Sequence, residues 1–177
     1  DWVQVKLEQQ SLRQSEVPVR DYAEGGVFSW LGHDYRLYVC RGKTTRIAIE
    51  GQHLCVTLAP RAQLKTQLLQ WYRQQAEQML WDKTHDYAEQ LGVSITGVSF
   101  RLTKTKWGHC TQLGQIQYNW HIVLAPETVV NYLVAHEVSH RRHMHHGPAF
   151  WRTVAKLCPD YELQRQWLKR FGHTLVL

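Results

Sequence analysis

The chain has 177 residues, 44% of them hydrophobic, a formal net charge of +6 and a pI of about 9.3. That length supports one domain with its own apolar core, and no run approaches the ~18 apolar residues of a membrane helix. The basic excess forms no Lys/Arg block, so a solvated surface is the plain reading and nucleic acid stays open as a partner.

Residues 1 to 25 are polar with little periodicity and read as a loosely ordered entry segment. From Phe28 the pattern changes to alternation. Phe28, Trp30, Tyr35, Leu37 and Val39 flank Gly32-His33-Asp34, and Ile47, Ile49, Leu54, Val56 and Leu58 flank Gly51-Gln52. Each set predicts a β-hairpin, and together they predict a small antiparallel sheet with one buried face. Pro60 closes this section. Residues 63 to 91 place Leu64, Leu68, Trp71, Tyr72, Met79 and Leu80 at helical spacing, with a polar stretch at Asp82–Asp86 that could interrupt the helix and Gly92 as its stop. Residues 94 to 103 and 115 to 123 alternate as strands around a loop at 104 to 114. Pro126 then opens a helix running through Glu137 toward His143, broken by Gly147-Pro148, and two further helices follow. The reading is α+β, with a β-hairpin part at about 26–60 and a catalytic part at about 61–177.

The helix from Pro126 carries the chemistry. His136-Glu137-Val138-Ser139-His140 matches H-E-x-x-H. Positions i and i+4 of a helix share one face, so two imidazoles can converge on one small cation. The Glu between them can reach a water that zinc acidifies to a pKa of about 7, and act as its general base. The pentapeptide also arises by chance on surface helices. Against that reading, Val129, Leu133, His136 and His140 share one stripe, which puts the histidines on the inward face of an amphipathic helix. Two His and a Glu are costly on a half-buried face unless they are paired or bound to metal.

A catalytic zinc keeps three protein ligands and one open position. His143 lies on the same stripe but seven residues on, a rise of about 10 Å, which is too far for one small ion. His146, directly before Gly147-Pro148, gives H-E-x-x-H-x5-H and is the preferred third ligand. His143, His145, Asp160 and Glu162 remain the alternatives. Metzincins share that spacing but carry Gly where this chain has His143. They also need a Met-turn, and the only Met residues here are Met79 and Met144.

Trp107-Gly108-His109-Cys110, Ile116, Asn119-Trp120, Leu124-Ala125-Pro126, His136 to His140, His146, Phe150-Trp151, Cys158-Pro159-Asp160-Tyr161 and Trp167-Leu168 together resemble the YgjP-like metallopeptidase family. That family is related to the SprT/Spartan and Wss-type metalloproteases. The resemblance is close over about residues 100 to 170 and looser before that. It implies a zincin-like, minimal gluzincin-type core, one Zn²⁺ per chain and His146 as third ligand. It also implies an antiparallel edge strand at Gln115–Val123, beside the active-site helix, to which a substrate peptide could add. Two departures stand out: His109 replaces the family's usual Ser, and His121 follows Asn119-Trp120 where Arg is common.

The expected activity is zinc-dependent hydrolysis of peptide bonds, as an endopeptidase in preference to an exopeptidase, with Glu137 as base and His136, His140 and His146 on the metal. His109, Tyr118, Asn119 and His121 are candidate oxyanion or substrate contacts. The runner-up is a zinc-containing module that binds protein or DNA with little hydrolysis. Cys40, Cys55, Cys110 and Cys158 form no C-x-x-C pair and are too widely spaced for a disulfide scaffold. With no secretory signal in Asp1-Trp2-Val3-Gln4-Val5-Lys6, they suggest reduced thiols in a cytoplasmic protein.

Overall fold

The computed structural model describes residues 2–177, so Asp1, the first residue of the polar entry segment, lies outside it. Both hairpins form where alternation places them. β1 (Val27–Trp30) pairs antiparallel with β2 (His33–Arg41), and β3 (Arg46–Glu50) with β4 (His53–Leu58). The first turn is the two-residue Leu31-Gly32, at φ 50 and 79, a double positive φ that matches a type I′ loop. His33 and Asp34 therefore belong to β2, not to the turn. A Cβ on Gly32 would sit 2.9 Å from Pro126 Cα, so this turn packs directly on the start of the helix that carries the site.

The expectation of an all-antiparallel sheet is corrected. The strand order is β1-β2-β4-β3, and the inner strands β2 and β4 run parallel. Alternation with period two specifies which face of a strand is buried, not which strand lies beside it or in which direction. Leu37, Leu54, Val56 and Leu58 are buried, as either arrangement requires.

α2 (Leu64–Leu91) runs unbroken through Asp82–Asp86, where the helix exposes Asp82, His85 and Asp86 and buries Thr84. Its buried residues, Leu68, Tyr72, Ala76, Leu80, Thr84, Ala88 and Leu91, recur at i+4 and i+3, one per turn. Gly92 ends it at φ 64, and the Val93 N–H donates to the Ala88 carbonyl at 2.9 Å, a Schellman closure.

The second sheet contains β5 (Gly97–Arg101), β6 (Gly108–Cys110) and β7 (Gln115–Asn119), in the order β5-β7-β6. The loop expected at 104–114 thus contains a short strand. The strand expected over 115–123 stops at Asn119, whose side-chain oxygen accepts the His121 N–H at 3.0 Å and turns residues 120–124 into a 3₁₀ helix. β7 is the central strand, parallel to β5 and antiparallel to β6. The edge beside the active-site helix is therefore β6, not Gln115–Val123.

α3 (Glu127–Ser139) follows Pro126, with Glu127 in the first turn where the helix dipole favours an acid. It ends at His140, three residues short of His143. α4 (Pro148–Leu157) and α5 (Tyr161–Phe171) complete the C-terminal layer. One apolar core takes in Phe28, Leu37 and Leu54 from the first sheet, Leu68 and Leu80 from α2, Ile116 and Tyr118 from β7, and Val130 and Val134 from α3. The entry segment is not irregular: residues Trp2–Glu16 form a helix with no buried residue. Its scattered apolar side chains give no stripe, which is why periodicity did not reveal it. Among the described residues, no helix is long and apolar enough to cross a membrane.

Candidate metal centre

α3 is buried on nearly every side, and His136 and His140 stand one turn apart at its C-terminal end. At His140 the chain leaves the helix. The N–H groups of Arg142 and His143 both donate to the Ser139 carbonyl, at 3.0 and 3.1 Å, and the chain turns before α4 starts at Pro148. That turn carries His146 back over the helix, with its Nε2 3.1 Å from His136 Nε2. One ligand-capable nitrogen from each of His136, His140 and His146 lies within 4.8 Å of the others. His143, His145, Asp160 and Glu162 do not join this group. His143 contributes its carbonyl instead, accepting the His140 Nδ1–H at 3.1 Å. That bond fixes the His140 tautomer and leaves Nε2 with a free lone pair.

Aromatic rings wall the cluster. Phe150, fully buried at the start of α4, lies 4.6 Å from the His140 ring and 5.0 Å from His136, and Trp151 lies 5.8 Å from His146. Tyr132 covers the other side of His136 at 5.9 Å. Burial lowers the His136 pKa to about 3, with His140, His146 and Arg165 adding repulsion, and burial also lowers His140. The two imidazoles on α3 are therefore neutral donors, while His136 Nδ1 is buried with no hydrogen-bond partner. Two nitrogens on a tetrahedral zinc at about 2.0–2.1 Å would be about 3.3 Å apart. The 3.1 Å between His136 and His146 is close to that, so the donor set fits a zinc ion.

Glu137 is 4% exposed, and burial pushes its carboxyl up to about 8 against the pull of the Lys106 charge. Gly108 of β6 lies against it: a Cβ there would fall 2.7 Å from Glu137 Cδ and Cγ, and closer still to Oε1. The need for Gly at this position was not seen in the sequence. The signal for it in the sequence is the Trp107-Gly108 pair of the family resemblance. Tyr132 and Arg165 were also missed, because they reach the cluster from other turns and another helix.

The four candidate contacts part company. His109 is exposed on β6, close enough for its charge to act on His140. Tyr118 is fully buried, with its hydroxyl 2.9 Å from that of Thr84, so it packs the core and cannot reach a substrate. Asn119 spends its side chain on the Thr103 carbonyl, at 3.0 Å, and on the His121 N–H. The His121 ring nitrogen Nδ1 pairs with the Leu175 carbonyl at 3.2 Å, and burial lowers its pKa, so it brings no positive charge where Arg is common.

No curated protein matches the chain. Among solved structures, the metallopeptidase zymogen abylysin of Pyrococcus abyssi is 20% identical at a TM-score of 0.47, over 55% of this chain and 99% of abylysin. The zymogen jannalysin of Methanocaldococcus jannaschii is 19% identical at 0.42, over 50% of this chain and 94% of its own. The YgjP-like metallopeptidase domain model matches residues 1–171, nearly the whole length, and the chain belongs to the YgjP-like metallopeptidase family.

Proposed function

We propose that this chain is a zinc-dependent endopeptidase, with one Zn²⁺ held by His136, His140 and His146 and with Glu137 as general base. The observation that carries the reading is the convergence of three imidazoles beside a buried carboxylate, on a helix otherwise packed with apolar side chains. When bound, zinc supplies a Lewis acid for the scissile carbonyl and lowers the pKa of water. Glu137 accepts the proton of the attacking water and returns it to the leaving amine. Its burial against Gly108 holds the carboxylate beside the histidine cluster. His140 is held in one tautomer by the His143 carbonyl.

The β6 edge supports an added substrate strand. Asn119 N–H donates to Trp107 O at 2.7 Å and Thr111 N–H to Gln115 O at 2.9 Å, so the pairs opposite β7 alternate from there. Gly108 and Cys110 then turn their backbone groups away from β7, where a peptide could pair with them. His109, on the same strand, is the remaining candidate for an oxyanion contact. The four cysteines are all free, which supports a reducing compartment such as the cytoplasm.

Elemental analysis beside His146→Ala and His143→Ala tests the ligand set. About one zinc per chain, lost with His146 and kept with His143, is the expected result. Glu137→Gln should keep the metal and lose hydrolysis by at least about a hundredfold. Full activity in that variant would refute the mechanism.

A further inference from the structure

A cleft of about 720 Å³ runs beside the histidine cluster, between the 102–107 segment, α5 and the C-terminal turn. Arg13, Lys104, Lys106, Arg165 and Lys169 line it, and no Asp or Glu does. Among the described residues none of these five is in an ion pair. The Lys106 charge also acts on the buried Glu137, which does not line the cleft. Glu16 pairs with His173 at 2.8 Å, and Glu162 accepts the Tyr161 hydroxyl at 3.2 Å and lines a second hollow that also touches Arg165 and Lys169. Charges of one sign around a concavity repel one another and focus the field on whatever enters it.

The cleft is joined to the proposed catalytic centre at three points. Tyr132 lines the cleft and lies 5.9 Å from the His136 ring. The Arg165 guanidinium sits 4.8 Å over Trp151, whose ring is 5.8 Å from His146. Lys106 and Trp107 lead directly into Gly108, the residue that lies against Glu137. His121 and Asn119 lie on the same wall with their polar groups already used, which leaves the net charge to the five cations.

We propose that this cleft binds a carboxylate of the substrate, so that the enzyme selects peptides that are acidic near the scissile bond. This rests on the peptidase reading and names its substrate class. The carboxylate is either an Asp or Glu side chain or the peptide's own C-terminus. A nucleic-acid backbone is met by cations set along a face or a helix. Here they ring one hollow, whose wall residue Trp107 is the chain neighbour of Gly108, the residue against Glu137.

The test uses the zinc-loaded chain and a peptide set that differs at one position near the scissile bond, Glu, Gln or Lys, each with a free or an amidated C-terminus. The Glu peptide should exceed the Gln peptide about tenfold in kcat/KM. That ratio should fall toward unity in Arg165→Gln/Lys169→Gln, and part of the way in Lys104→Gln, with melting temperatures unchanged. A preference that survives amidation assigns the side chain; a preference only for free termini assigns the C-terminal carboxylate. No preference in either arm, or one that the charge variants leave intact, overturns the proposal. If no peptide is cleaved, the peptidase reading fails by itself, and binding of a rhodamine-labelled acidic peptide to zinc-loaded Glu137→Gln still judges the cleft. Anisotropy should then show binding that weakens about tenfold in the Arg165→Gln/Lys169→Gln background. Duplex DNA that binds through these cations while the acidic peptide does not would overturn the proposal in favour of nucleic acid.

Discussion

Helix α2 buries one residue per turn over 28 residues, while α3, packed against it, buries nine of its 13. The buried set of α2 is apolar apart from Thr84, whose hydroxyl is satisfied by the Leu80 carbonyl. The buried set of α3 includes Glu137, and its half-buried positions include His136. α2 stops on a glycine in the left-handed region. α3 stops on His140 in the right-handed region, and the chain it releases brings back His146. One helix keeps its buried stripe apolar and ends on a glycine that fits the left-handed region. Its neighbour sets polar and titratable groups in a dry interior, and such conflicts concentrate where a protein does chemistry.

The sharpest way to break that contrast is Gly108→Ala. The methyl group would collide with the buried Glu137 carboxylate and force it to shift. Hydrolysis should fall by about a hundredfold or more, roughly 2.7 kcal/mol in the barrier, while zinc content stays at the wild-type level. Activity within twofold of wild type would mean that β6 does not position the carboxylate.

On α2 the largest effect should be in stability alone. Leu80 is fully buried in the shared core, so Leu80→Ala should cost about 2–5 kcal/mol in denaturant unfolding. At temperatures where the variant is folded, zinc stoichiometry and kcat should match the wild type. Loss of zinc in a folded Leu80→Ala chain would show that the two helices are coupled more tightly than their division of labour implies.

Much of this contrast can be read in the sequence, and the limits have physical causes. The α2 stripe and its Gly92 stop follow from period 3.6 and from the freedom of glycine at positive φ. The H-E-x-x-H face needs only the angle between residues i and i+4. His146 could be preferred because His143 is too far along a helix, though α3 in fact ends before His143. The edge strand was misplaced because alternation from Gln115 to Val123 continues through a segment that Asn119 caps into a 3₁₀ turn. The parallel pairing of β2 and β4 was invisible because alternation carries no direction. Tyr118 looked available because sequence gives the residue type but not the Thr84 hydroxyl that occupies it.

A pH titration of the metal-free chain sharpens the comparison further. The Glu137 pKa is about 8 in the folded chain against 4.5 unfolded, so the folded state holds a proton that the unfolded state releases. Its contribution to stability is full below pH 4.5 and is lost as the pH rises through about 8. Glu137→Gln has no proton to lose. In chelator-treated protein its melting temperature should therefore gain on the wild type as the pH rises from 4.5 to about 8, and level off above that. The lowered His136 acts with the opposite sign, costing stability as the pH falls from 6.5 toward about 3, but it is common to both chains. A difference that stays flat across the range would show that Glu137 is hydrated in the metal-free state.

The smallest expected effect is at Gly92. Its φ of 64 is strained for any residue with a Cβ, but a Cβ there meets nothing within 4 Å. Gly92→Ala should therefore cost only the left-handed penalty, about 1–2 kcal/mol in unfolding free energy, with no change in zinc content or kcat. Gly108→Ala makes the same chemical change with a different readout, lost hydrolysis at unchanged zinc content. The pair separates a glycine required by backbone conformation from one required by the space a carboxylate occupies. If Gly92→Ala also lowered kcat, the end of α2 would have to bear on the Ser94 carbonyl and, through the Arg141 Nε–H that donates to it at 3.0 Å, on the turn that delivers His146.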